Sequence, residues 1–131
     1  MEYKIYKNVP CDLYSKAHDI IESGSTDDKA ELALSVGMFH DNSNEAQKVC
    51  LSLMKSEDPY VRSTAARGLA YIAISGGTLD KDIVKPSLLK ELRENTEFRH
   101  QIINSIEDIN HYLGWKMGKR AIRSYLKKAS L

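Results

Sequence analysis

Four histidines, two cysteines and a few carboxylate pairs are the groups in this chain that could support metal, nucleophilic or acid–base chemistry. His18, His40, His100 and His111 contain no His-x-x-x-His pair, the spacing that sets two ligands on one helix face. His100 and His111 fall in one predicted helix, but about three turns, or roughly 16 Å of rise, separate them, too far to share a metal ion. Cys50 sits on an apolar stripe and reads as a small core residue, while Cys11 has no adjacent basic residue to favour its thiolate. Gly76-Gly77-Thr78 has too few glycines for a phosphate-binding loop, and neither Lys-Ser nor Lys-Thr follows it. The pairs Asp27-Asp28 and Glu107-Asp108 suit a helix start and a solvated helix face. The expectation is a non-enzyme, with no catalytic residue, no metal and no cofactor.

The frame that must position these side chains is a single domain over 1–131. At 131 residues, with 42% apolar and 28% charged residues, the chain can bury a core large enough to fold without staples. Two scattered cysteines do not make a disulfide framework, the start of the chain has no apolar leader run, and no stretch nears the roughly 20 apolar residues of a spanning helix. These features point to the cytoplasm and to no membrane. The net charge of +1 hides a polarity: residues 1–58 hold six basic and eleven acidic side chains, residues 59–131 thirteen and seven. After Gly114, the cations Lys116, Lys119, Arg120, Arg123, Lys127 and Lys128 meet no side-chain carboxylate. Such asymmetry governs which partners are attracted, not the fold.

Apolar periodicity predicts an almost entirely helical chain, with residues 2 to 7 the one stretch that could be extended. Glycines and prolines fall between the periodic segments, as helix boundaries should. Leu13, Ala17, Ile20 and Ile21 make a first stripe ending near Gly24. Ser25-Thr26-Asp27-Asp28 caps a second helix, and Asn42-Ser43-Asn44-Glu45 resembles a capping box for a third. Asp58-Pro59 is the clearest start, since the carboxylate caps free amides and proline lacks the N–H that a first turn leaves unused. Gly76-Gly77 ends that helix, Pro86 starts or kinks the next, and Thr96 is placed to cap the sixth. A basic amphipathic helix with Ala121, Ile122, Tyr125 and Leu126 closes the chain.

The chain also repeats itself. At an offset of 37, Asp58-Pro59-Tyr60-Val61-Arg62, Ala65-Ala66, Leu69 and Ile72 lie over Asn95-Thr96-Glu97-Phe98-Arg99, Ile102-Ile103, Ile106 and Ile109. A weaker copy at an offset of 33 begins at Asp28-Lys29 and carries Leu32-Ala33, Val36 and Phe39. Two helices per unit at such a period is the pattern of helical solenoids. Asp58-Pro59-Tyr60-Val61-Arg62 resembles the start of the second helix in HEAT repeats, an Asp-Pro-x-Val-Arg pattern followed by paired small residues and leucine. The resemblance spans about residues 12 to 113 and is closest over 46 to 74, because the other copies lack Pro-x-Val. It implies an all-α, short right-handed solenoid of about three helical hairpins, near 10–40, 43–75 and 82–113, with a basic capping helix over 115–129. It also implies that Asp58, Arg62 and Arg99 hold repeats together.

In such an array the second helices make the natural binding face. Between their core stripes fall Glu31 and Ser35, then Ser63, Arg67 and Tyr71, then Gln101, Asn104, Asp108 and His111. Glu31, Arg67, Tyr71, Asn104 and Asp108 are the expected contacts for a protein partner, since aromatic and arginine anchors often dominate interfaces. In size and build the chain is similar to immunity proteins of contact-dependent growth-inhibition systems, short helical chains that mask a toxin's active site. That likeness implies a monomer before binding and a partner that is a toxin's C-terminal nuclease domain. Two alternatives stand beside it: a nucleic-acid-binding protein akin to the HEAT-like DNA alkylation repair glycosylases, and a HEAT-type regulatory scaffold. Near neutrality argues against nucleic acid as the main partner.

Overall fold

The second to sixth α-helices of this chain each start where a short polar side chain takes up a free backbone amide. The computed structural model describes residues 9–129; the extended segment expected over 2 to 7 lies outside them. A 3-10 turn at Leu13–Lys16 leads into α1 (Ala17–Ser23), α2 (Thr26–Phe39), α3 (Ser43–Leu53), α4 (Pro59–Ile74), α5 (Lys81–Glu94), α6 (Arg99–Leu113) and α7 (Lys119–Ala129). The fold is all-helical among the described residues.

Ser25 and Asp28 form a reciprocal capping box, with the Asp28 amide donating to Ser25 Oγ at 3.1 Å and the Ser25 amide to Asp28 Oδ2 at 3.2 Å. Asn42 Oδ1 accepts from the Glu45 amide at 3.2 Å, and Asp58 Oδ1 from the Tyr60 amide at 2.8 Å with Pro59 in the first turn. Gly76 and Gly114, at φ of 90° and 71°, take left-handed conformations that release the chain from α4 and α6. Helix α5 runs through Pro86.

Two expectations fail for reasons that lie in packing. Thr96 does not cap α6. Asn95 takes the role, its Oδ1 accepting the Phe98 amide at 3.2 Å. Its Nδ2 donates to the Pro59 carbonyl at 2.9 Å and to Glu91 Oε1 at 3.1 Å, which buries Asn95 and fixes its direction, while Thr96 is left exposed. Nor do all glycines mark boundaries: Gly37 lies inside α2 and Gly68 inside α4. A Cβ on Gly37 would sit 2.4 Å from the Gly68 carbonyl oxygen, and one on Gly68 would sit 2.5 Å from the Ala33 carbonyl oxygen and 2.8 Å from Cys50 Sγ. The two helices therefore cross at backbone contact, which only residues without a side chain permit.

Helix α4 is the hub, packed against α2, α3, α5 and α6, while α5 also packs on α6. Its Ala65, Ala66, Leu69 and Ala70 are fully buried, joined in the core by Leu32, Leu88, Ile102 and Ile106. Burial of that apolar surface is the dominant stabilising term. Arg62, near the start of α4, and Arg99, at the start of α6, act alike. Arg62 Nη1 donates to the Ser56 and Glu57 carbonyls at 2.9 and 3.0 Å, and Arg99 reaches the Leu92 and Arg93 carbonyls, both at 2.9 Å. Each guanidinium thus satisfies carbonyls around the end of the preceding helix and the turn after it. Arg62 Nε also pairs with the buried carboxylate of Glu91 at 3.0 Å, while Asp58 accepts from Thr26 Oγ1 at 3.2 Å.

Candidate functional site

The α4–α6 seam brings together a cluster of polar side chains from the two helices. Arg67 and Tyr71 are one turn apart on α4, and Asn104 and Asp108 one turn apart on α6, so each pair shares a helix face. Across the seam the Arg67 guanidinium pairs with Asp108, with Nη2 to Oδ2 at 2.5 Å, and Nη1 reaches Ser105 Oγ at 3.4 Å. The same guanidinium lies 5.0 Å from the centroid of the Tyr71 ring, on its face. One turn earlier, Ser63 Oγ sits 2.9 Å from the Tyr60 carbonyl oxygen and 3.2 Å from Gln101 Oε1. The side chain of Arg67 is 14% exposed and that of Asp108 39%. Arginine is thus largely covered and holds its neighbours, while the carboxylate keeps an outer edge for an incoming donor.

Three of the five expected contact residues, Arg67, Tyr71 and Asp108, therefore converge. Asn104 is half-buried one turn before Asp108. Glu31 is exposed on α2 and has no bond to the cluster among the described residues. Ser105 was not foreseen. It is fully buried within the run Ile102, Ile103 and Ile106, and that one small polar residue in an aliphatic stripe was the available signal.

A second polar group stands at the start of α3. The Tyr14 hydroxyl donates to Glu45 Oε2 at 2.8 Å, and the ring of His40 meets that of Tyr14 edge-on at 4.1 Å. The hydrogen bond from Tyr14, reinforced by the charge of Lys48, holds the Glu45 carboxyl below its ordinary value of 4.5, and the same bond raises the Tyr14 phenol. His40 Nδ1 accepts the Asn42 amide at 2.9 Å. Burial pushes the Cys50 thiol up to about 12, so it stays protonated and unreactive. Cys11 is exposed and free. Among the described residues no three His, Cys, Asp or Glu side chains are grouped to hold a metal ion, and no helix is long and apolar enough to cross a membrane.

No family model, curated protein or solved structure matches this chain. The α4–α6 cluster holds a charge-assisted pair, a half-buried tyrosine beside its guanidinium, and the amide of Gln101 within reach of Ser63.

Proposed function

We propose that this chain is a non-catalytic protein-binding module, and that it is an immunity protein that neutralises the nuclease domain of a bacterial contact-dependent growth-inhibition toxin. In this reading α1–α2, α3–α4 and α5–α6 are three HEAT-like hairpins of a short right-handed solenoid, and α7 caps it. The matched bonds of Arg62 and Arg99, one repeat apart, support the hairpin register. The packing of α4 against both α2 and α6 supports stacking of the second helices.

The observation that carries the binding role is the Arg67–Asp108 pair set beside Tyr71. Arg67 has already lost most of its contact with water, so little is left to lose when a partner covers it. Outside it remain the half-exposed Asp108 and the exposed Glu31, which offer acceptors rather than donors. A nuclease cleft must be basic to hold phosphates, so acceptors on this face complement it and would compete with its substrate.

The test is co-expression with the toxin C-terminal domain encoded by the neighbouring gene, read by co-purification and cell survival. The expected result is a stable complex and rescue, with Asp108→Lys abolishing both. Tyr71→Ala should weaken binding by about 2 kcal/mol, roughly 30-fold, as a central aromatic anchor does. Wild-type affinity in alanine variants at all five of Glu31, Arg67, Tyr71, Asn104 and Asp108 would remove this face from the interface. A toxic domain that neither binds nor is neutralised would end the immunity reading.

A further inference from the structure

The basic helix α7 takes no part in the α4–α6 cluster, and its cations are oriented by the way it is anchored. Ile122 and Met117 are buried, and the Asn110 amide bonds the Met117 backbone in both directions, at 2.9 and 3.0 Å. The Arg99 guanidinium lies 4.0 Å from the centroid of the Tyr125 ring. These contacts commit the side of α7 that carries Ile122 and Tyr125 to the body of the protein. At about 100° per residue, Lys119, Arg120 and Arg123, with Lys127, fall within an arc of roughly 100° on the other side. All four are exposed, and Lys119, Arg120 and Arg123 have no ion pair among the described residues. Lys119 and Arg123 also line a groove of about 480 Å³ between α6 and α7, where the one carboxylate is that of Glu107.

We infer that this cationic face of α7 binds the phosphate backbone of double-stranded nucleic acid without sequence preference. The stripe runs about 12 Å along the helix from Lys119 to Lys127, a length that can follow several successive phosphates. The near-neutral charge of the whole chain, which argues against nucleic acid as the main partner, bears less on this local contact, since exposed charges beyond a Debye length of about 10 Å at 0.1 M salt are screened from it. An anionic membrane is the less favoured partner. A helix that lies in a bilayer interface must bury its apolar face in lipid, and here Ile122 and Tyr125 are spent on the protein, leaving Leu126, 39% exposed, as the large apolar side chain of α7 still open. This site does not depend on the immunity reading, and its test uses neither the toxin nor the α4–α6 face.

Fluorescence anisotropy with the full chain and a labelled mixed-sequence DNA duplex of about 20 base pairs tests it. Three phosphate contacts predict a slope of about −2.7 in log K against log salt, so affinity should fall about 40-fold between 50 and 200 mM. Lys119→Glu/Arg123→Glu should remove binding at the lowest salt with helicity unchanged by circular dichroism, and Glu107→Gln should tighten it. Lys85→Glu/Lys90→Glu, on α5, should leave it as it was. Absence of binding at about 50 mM salt would overturn the inference, and so would binding that survives the α7 double reversal. Capture of phosphatidylserine vesicles with no DNA binding would assign α7 to membranes instead and overturn it equally.

Discussion

Helix α4 meets α2 and α6 in opposite ways. Against α2 it closes to backbone contact at Gly37 and Gly68, where even a methyl group would strike a carbonyl oxygen. Against α6 it leaves room for Arg67, Ser105 and Asp108 to bond across the seam. At a sequence offset of 37 Gly68 falls on Ser105, so the position without a side chain on α4 corresponds to a hydroxyl on α6. Removing side chains gives a close, rigid crossing with no place for polar groups at its centre. Keeping them leaves room for an ion pair and hydroxyl contacts across the seam, with the outer edge of Asp108 partly exposed.

The sharpest way to break this contrast is Gly68→Val. Its Cβ meets main-chain atoms of α2 that cannot rotate away, so α2 and α4 must part. Overpacking of this kind should cost about 3 kcal/mol. In a domain of this size that lowers Tm by roughly 10 to 15 °C, which thermal denaturation followed by circular dichroism will read. An unchanged Tm would mean that the α2–α4 crossing is not the close seam described. Arg67→Ala should do much less to the fold. Its partner Asp108 is 39% exposed, so solvent screens the pair and the loss should be near 1 kcal/mol in urea denaturation. A loss as large as that of Gly68→Val would make the polar seam a structural element rather than a surface held ready for binding.

Much of this organisation is legible in the sequence. Asp58-Pro59, Gly76-Gly77 and Gly114 mark helix ends by local chemistry, and local chemistry is what a sequence displays. The one-turn spacing of Arg67 with Tyr71 and of Asn104 with Asp108 placed each pair on a face for the same reason. What was hidden depends on neighbours distant in sequence. Gly68 looks like any glycine in an apolar run until Ala33 and Cys50 are known to press on it. Asn95 outranks Thr96 as a cap because the Pro59 carbonyl, 36 residues away, helps the nearby Glu91 to hold its amide in place. That Arg67 faces Asp108 and not solvent follows from the register of α4 on α6, which periodicity within one helix cannot give.

The smallest expected effect sharpens the comparison from the other end, at a polar contact outside both seams. Tyr14 and Glu45 are bonded on the surface, and the bond lowers the Glu45 pKa. A carboxyl whose folded pKa is depressed contributes stability at pH above its ordinary 4.5, and loses it as pH falls through the lower folded value. Tyr14→Phe removes the largest cause of that shift while the charge of Lys48 remains. The Glu45 titration followed by carboxyl carbon NMR should therefore move up toward 4.5 without reaching it, and Tm at neutral pH should hardly change. Should Tm fall as far as in Arg67→Ala, exposed and seam-bound polar contacts would be equivalent in this fold. The distinction between them would then rest on the glycine crossing alone. A shift confined to Glu45, with Tm intact, would instead show that partial burial in the α4–α6 seam is what gives a polar pair structural weight here.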